Sequence, residues 1–177
     1  MIQEGKSDYQ IVLSDGAISS EVTAAKELQN FLTQITGVTL PIVQEKGSVP
    51  SILVGQSPEV SQALGGLDFA SLKSDEIILK TVGKDIILCG ERPRGSLYAV
   101  YELLETEFGV RFWSLDATDV PQKKTLELPV LDHRYAPTLF YREGFYDVLQ
   151  HNPQFAVRAR NNGHCINIPK DWGGHLT

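Results

Sequence analysis

Cysteine is scarce in this sequence, which has only Cys89 and Cys165 in its 177 residues. Two cysteines far apart cannot build a disulfide framework, although the sequence is compatible with a single disulfide between them. Cys89 lies in an apolar run and is predicted to be a small buried residue. The longest apolar runs are much shorter than the roughly 20 residues of a membrane helix, so no membrane span is predicted.

An export signal is also missing, because the opening "MIQEGKSDYQ" has no apolar core of the signal-peptide type. Two localisations remain open. The protein is periplasmic or secreted if Met1 replaces a removed export signal, and otherwise it is cytoplasmic.

Positive charge is not in excess, since 16 basic residues stand against 22 acidic ones and the net charge is −6. A general nucleic-acid binder needs a basic face to displace counterions, so that class is not predicted. Histidines 133, 151, 164 and 175 have no metal-ligand spacing. No nucleophile motif of the G-x-S-x-G or Cys/His type is present either. We therefore expect no metal and no cofactor.

The first 130 residues alternate short apolar runs with two helical patterns. Strands are predicted at residues 9–13, 40–44, 51–55, 75–82, 85–90, 110–113 and 124–129, with a short helix at 57–64. One long helix is predicted from Ser20 to Gly37, capped by Ser19 or Ser20. Another is predicted from Pro93 to Phe108 and buries one face. The pattern predicts an α+β fold, with a mixed sheet and helices mainly on one face.

The composition changes at "LPVLDHRYAP", where Pro129 and Pro137 bracket a predicted extended linker. A strand (138–146), a helix (152–163, stopped by Gly163) and a second strand (164–169) are predicted after it. Such a β/α unit cannot bury its own faces. We therefore predict two parts, an N-terminal α/β domain at 1–133 and the start of a larger domain at 134–177. The second part should be the less stable one, and a homodimer formed through it is possible.

A glycine-bounded turn at residues 90–95 has the spacing of a phosphate-binding loop. No lysine precedes Ser96, however, and a phosphate loop requires one. Arg92 and Arg94 are therefore interpreted as solvated or ion-paired residues of a strand-to-helix turn.

Nearly the whole chain resembles a known family, and the resemblance is densest between Asp75 and Pro129. The similarity is to the N-terminal domain of bacterial α-glucuronidases and of a related uncharacterised family. It rests on the hairpin followed by "GERPRGSLYAVYELLE", "GVRFW", an acidic loop and "VP". They are more distantly similar to the domain before the barrel in β-N-acetylhexosaminidases. The resemblance implies a non-catalytic accessory domain that packs on a (β/α)8 catalytic barrel. Its partners would be the remainder of that barrel and carbohydrate, and residues 134–177 would be the truncated first β/α unit.

Glycoside cleavage requires two carboxylates on either side of one bond. Asp75 and Glu76 are the adjacent acidic pair of interest, but neighbours on a strand point to opposite faces. The resemblance to hexosaminidases suggests Arg142 as a sugar-binding residue, and the alternative is an ion pair with a carboxylate. Trp172 and His175 could stack on a sugar ring and bind its hydroxyl groups, or simply belong to a surface loop.

The predicted function is therefore that of a non-catalytic N-terminal domain of a carbohydrate-active enzyme. The alternative is a free-standing carbohydrate-binding or protein-interaction module. An intact small enzyme is a third and weaker possibility.

Overall fold

The computed structural model describes residues 1–174, and a six-stranded mixed sheet lies at its centre. In chain order its strands are β1 (Gln10–Leu13), β2 (Ile42–Val43), β3 (Ser51–Val54), β4 (Ile77–Val82), β5 (Asp85–Gly90) and β8 (Asp132–Tyr135). The spatial order is β2-β1-β3-β5-β4-β8. Neighbours from β2 to β5 are parallel, and β4 is antiparallel to both β5 and β8. Strands β6 (Arg111–Ser114) and β7 (Ala117–Asp119) form a separate antiparallel ribbon.

Helices cover both faces of this sheet. The long helices α1 (Ser19–Thr36) and α3 (Gly95–Thr106) pack on one face, and the short helix α2 (Pro58–Ala63) lies on the other. Helices α4 (Asp147–His151) and α5 (Pro153–Arg158) follow the last strand. Single 3-10 turns occur at Phe69–Ser71 and Lys170–Trp172. No helix within residues 1–174 is both long enough and apolar enough to cross a membrane.

The central strands are apolar on both faces because both faces are covered. On β3, Ile52 and Val54 contact the layer of α1 and α3, whereas Leu53 contacts the layer of α2. This alternation follows from the two-residue period of a strand. The main core therefore lies under the two long helices, and a smaller core lies on the opposite side.

Both long helices are confirmed, but the N-cap of α1 and the buried surface of α3 differ from the prediction. Helix α1 ends at Gly37, which adopts the left-handed φ of 77° that the prediction requires. Its N-cap is Ile18 rather than a serine, because the Glu21 carboxylate accepts the Ile18 N–H at 3.0 Å. Helix α3 buries more than the predicted face, because residues after β8 cover its other side.

The predicted hairpin is confirmed, and so is the short helix at 57–64, since β4 and β5 pair and α2 is capped by Ser57. The strands predicted at 124–129, 138–146 and 164–169 are wrong. In the first of these regions one isolated bridge joins Leu126 to Ile2, and the structure assigns no strand to the other two. A strand needs a hydrogen-bonded neighbour, and an apolar sequence pattern cannot supply one.

The predicted linker and the predicted end of the last helix also need correction. Residues 132–135 form β8, which hydrogen-bonds to β4 and covers an edge that would otherwise be exposed. Helix α5 stops at Arg158, and Arg160 rather than Gly163 takes the left-handed conformation after it, with φ 58°. The proposed domain boundary at 133/134 falls inside β8.

Candidate functional site

Asp75 lies at the centre of a buried ion-pair cluster just before β4. Its side chain has no exposed surface. One oxygen accepts a hydrogen bond from Arg94 Nε at 3.0 Å, and the other accepts from Arg142 at 2.7 Å and from Asn162 Nδ2 at 2.9 Å. Arg142 and Asn162 belong to the C-terminal segment (residues 136–174). A single carboxylate therefore joins this segment to the sheet.

Glu21 forms a second buried carboxylate site in the first turn of α1. Its oxygens accept hydrogen bonds from Arg92 at 2.8 Å and from the backbone N–H of Gln56 at 2.9 Å. Gly55 makes this approach possible, because a Cβ there would lie 2.8 Å from the Glu21 carboxyl carbon. The loops after β1, β3 and β5 are thus joined at one point.

Glu27 forms the third site, on the face of α1 that meets the C-terminal segment. It accepts hydrogen bonds from the Tyr101 hydroxyl at 2.9 Å and from Arg158 at 2.8 Å. Burial and the Glu27 charge raise the pKa of Tyr101 well above its ordinary value. Burial is the largest influence on Arg158 and would lower its pKa, but the charges and hydrogen bonds of Glu27 and Tyr101 together outweigh burial and raise the pKa. The Arg158 guanidinium also lies 5.6 Å from the ring centre of Trp172.

Glu76, next to Asp75, faces different partners. It accepts a hydrogen bond from the backbone N–H of Lys73 at 2.7 Å and another from Arg134 Nε. Burial alone would raise the pKa of this carboxyl, but the two hydrogen bonds and the charges of Arg134 and Lys73 together outweigh burial, and the pKa is lowered. The two adjacent acids therefore have different partners, but they do not lie on a strand as predicted: β4 begins at Ile77, and Asp75 lies in a turn with a left-handed φ of 55°.

The interpretation of the glycine-bounded turn is confirmed, because its two arginines are ion-paired with Glu21 and Asp75. The partners themselves could not be identified from the sequence. Asp75 lies 67 residues from Arg142, and no local pattern links the two. The one available signal was the pair of arginines at a helix start, where cations require neutralisation.

The structure describes two of the three predicted sugar-binding residues, and it places these two differently. Arg142 binds Asp75 and lines a cleft of about 120 Å³ with Tyr98 and Arg160. Trp172 is 8% exposed and packs in the main core. His175 lies outside the described residues. Arg142 and Trp172 are therefore not brought together in one cleft, and a role in sugar binding stays a prediction for all three.

The C-terminal segment also presents an apolar surface, which we call the aromatic strip. It consists of exposed residues close together in sequence: Leu139, Phe140, Tyr141, Phe145, Tyr146 and Val148. Large exposed apolar patches are typical of contacts with another protein or domain. Within residues 1–174, no group of three or more His, Cys, Asp or Glu side chains could hold a metal ion.

Comparison with known proteins identifies relatives of this fold. "Probable alpha-glucuronidase A" of Aspergillus oryzae is 29% identical over 159 residues, which is 82% of this chain and 19% of that protein. The protein of the same name from Aspergillus flavus gives the same values. The chain thus spans about a fifth of the length of these curated relatives.

A solved structure supports the same fold. It is described as a novel family GH115 4-O-methyl-α-glucuronidase with specificity for decorated arabinogalactans. The TM-score is 0.63 at 22% identity, and the match covers 79% of this chain and 19% of that one. The model of the glycosyl hydrolase family 67 N-terminus matches residues 4–103, which include β1 to β5 and most of α3. The chain therefore belongs to the glycosyl hydrolase family 67 N-terminus family.

Proposed function

We propose that the chain is the non-catalytic N-terminal domain of an α-glucuronidase-like glycoside hydrolase. The observation that carries the proposal is the state of the buried carboxylates. Those of Glu21, Glu27, Asp75 and Glu76 are each bound to an arginine. A glycosidase needs two carboxylates that face the sugar, about 5–10 Å apart. Carboxylates held in buried ion pairs stabilise the domain and are not free to attack or protonate a substrate.

The lengths of the relatives support a division of labour. The curated α-glucuronidases match this chain over only 19% of their length. We propose that catalysis in the parent protein belongs to a (β/α)8 barrel outside the matched region. The N-terminal domain then supports that barrel through the C-terminal segment.

We further propose that residues 134–177 supply the first β/α unit of the barrel. The aromatic strip supports this, because its side chains are 39–75% exposed and a barrel strand would bury them between its neighbours. Residues 138–146 would then pair as a strand only beside the rest of the barrel. A homodimer through the same strip is the competing arrangement, and analytical ultracentrifugation distinguishes the two.

The contacts with carbohydrate belong to the same proposal. Arg142 is 19% exposed, so its guanidinium, held by Asp75, could still present a donor to a sugar once the barrel is complete. Trp172 would need its 3-10 turn (Lys170–Trp172) to line that barrel's opening, and the same role is proposed for His175. We therefore assign these three residues a role only in the parent protein.

The test compares the parent protein with the chain itself. The open reading frame that contains this sequence is expressed in full, as residues 1–177, and without residues 1–133. Release of glucuronic acid from an α-linked glucuronyl oligosaccharide is then measured. We expect release by the full protein and none by residues 1–177.

Two results would overturn the proposal. One is release by residues 1–177 that is lost when one of their own carboxylates is replaced. The other is a reading frame that stops after Thr177. A full protein with no activity on α-glucuronides, but activity on another glycoside, would reject the α-glucuronidase assignment alone.

A further inference from the structure

An open crevice lies at the carboxyl ends of β1 and β3, away from the ion pairs that hold the C-terminal segment. These adjacent parallel strands lead to opposite faces of the sheet: β1 continues into α1 on one face, and β3 into α2 on the other. Connections that separate in this way leave a gap between the two loops. In open α/β sheets, ligands bind in the crevice at this switch point.

The crevice has the size and the composition of a binding site. Its volume is about 760 Å³, within the roughly 300–1,000 Å³ typical of ligand pockets. Ser14 to Gly16 line one side, Gln56 and Ser57 line the other, and Arg92 contributes from the loop after β5. Hydroxyl, amide and carboxylate groups therefore surround the same space.

Apolar side chains line the remaining wall. Leu67 and Phe69 border the crevice, and both are partly exposed. A partly exposed ring and an aliphatic side chain beside hydroxyl and carboxylate groups match a pyranose, which has apolar C–H faces and a rim of hydroxyl groups.

The charge of the crevice favours an uncharged ligand. Asp15 and Asp68 are exposed on its rim. Arg92 is the cation that lines it, and its charge is neutralised by Glu21 at 2.8 Å. The local balance is negative, so a phosphate or uronate group would be repelled, whereas carboxylates readily accept hydrogen bonds from sugar hydroxyl groups.

We propose that this crevice is a binding site for a neutral oligosaccharide. The ligand class rests on the proposed function, since it assumes that the domain belongs to a carbohydrate-active protein. The crevice would hold an undecorated stretch of a polysaccharide chain near the enzyme. Its role would be attachment to the substrate and not cleavage.

The experiment uses the complete 177-residue chain labelled with ¹⁵N. Cellohexaose, xylohexaose and maltohexaose are the neutral probes, and hexagalacturonic acid is the anionic one. We expect saturable amide shifts at Ser14 to Gly16, Gln56 and Ser57 with at least one neutral probe, and none with the anionic probe. Because binding of this kind is weak, titrations extend to about 10 mM.

Gly16→Trp blocks the crevice, and Gly47→Trp is its matched control. A Cβ at Gly16 meets no atom within 4 Å, and one at Gly47 meets only the Gln10 amide, at 3.8 Å. Gly47 precedes β3 and so lies at the opposite end of the sheet. We expect the affinity for the neutral probe to fall at least about tenfold in Gly16→Trp and to be unchanged in Gly47→Trp.

The proposal is overturned if no neutral probe shifts these amides, if the shifts map to another surface, or if hexagalacturonic acid binds as well as the neutral probes. If Gly16→Trp does not fold, the shift map of the unmodified chain still decides. If the crevice binds no neutral oligosaccharide, the full protein is still expected to cleave α-glucuronides, so the proposed function stands. Conversely, a full protein that binds neutral sugars here but cleaves no α-glucuronide rejects only the proposed function.

Discussion

Replacing Asp75 with asparagine tests how strongly the buried ion pairs hold the C-terminal segment. The Asp75 side chain is fully buried, and its partners Arg94 and Arg142 are 4% and 19% exposed. Asparagine keeps the shape but removes the negative charge that both guanidinium groups face. Its amide also presents a donor to a site where every partner is a donor. Breaking a buried pair costs about 3–5 kcal/mol, and we expect about 4 kcal/mol here.

Replacing the partner Arg142 should lower the free energy of unfolding by less than replacing Asp75. Arg142→Met removes the more exposed cation and leaves Asp75 with Arg94 and Asn162. Loss of the hydrogen bond to the charged Asp75 predicts about 1.5–3 kcal/mol. The two bonds that Arg142 donates to the carbonyl oxygens of Leu139 and Arg160 are lost as well, at positions where water can replace the donor. The Asp75→Asn/Arg142→Met double variant should then be destabilised by less than the sum of the two single changes, since both remove the same interaction.

The free energy of unfolding is measured from urea titrations, with the midpoint and the slope fitted separately. Asp132→Asn is the control, because it removes a surface pair with Lys80 in which the Asp132 side chain is 76% exposed. Its cost should be below about 1 kcal/mol. A cost below about 1 kcal/mol for Asp75→Asn, at an unchanged slope, would refute the view that this carboxylate holds the segment in place.

Three further predictions concern the core, the cysteines and the acid response. Leu104→Ala should lower the free energy of unfolding by about 2–5 kcal/mol in the same titration, because Leu104 is fully buried. Leu115→Ala, at an exposed position, is the control, and an equally small effect of Leu104→Ala would contradict the packing of α3. In the native chain a thiol reagent should modify Cys165 but not Cys89, which is buried and whose pKa is raised to about 12. Both cysteines should react in urea. Rapid labelling of Cys89 in the native chain would show that it is not buried. The lowered pKa of Glu76 predicts that its contribution to stability is complete above the unfolded value of 4.5 and is lost as the pH falls through the lower folded value. Glu76→Gln should therefore flatten the acid side of the stability curve, and an unchanged profile would show that another carboxyl controls it.

The sequence alone determined those elements whose signals are local. The apolar stripe of α1 and the left-handed stop at Gly37 are set by residues a few positions apart. The β4–β5 hairpin is closed by a turn of the kind predicted from Val82 to Asp85. The mixed sheet and the resemblance to the α-glucuronidase N-terminal domain also followed from local motifs, and the family match confirms that resemblance.

Only the tertiary structure decided which distant segments meet. Residues 138–146 have the composition of a strand but lack a neighbour to pair with, whereas the residues predicted as a linker complete the sheet as β8. The partners of Asp75 come from two distant parts of the chain, the residue before α3 and the C-terminal segment. Burial of a charge is tolerated only where opposite charges converge. That convergence depends on how α3 and the C-terminal segment pack together, which a sequence pattern does not specify.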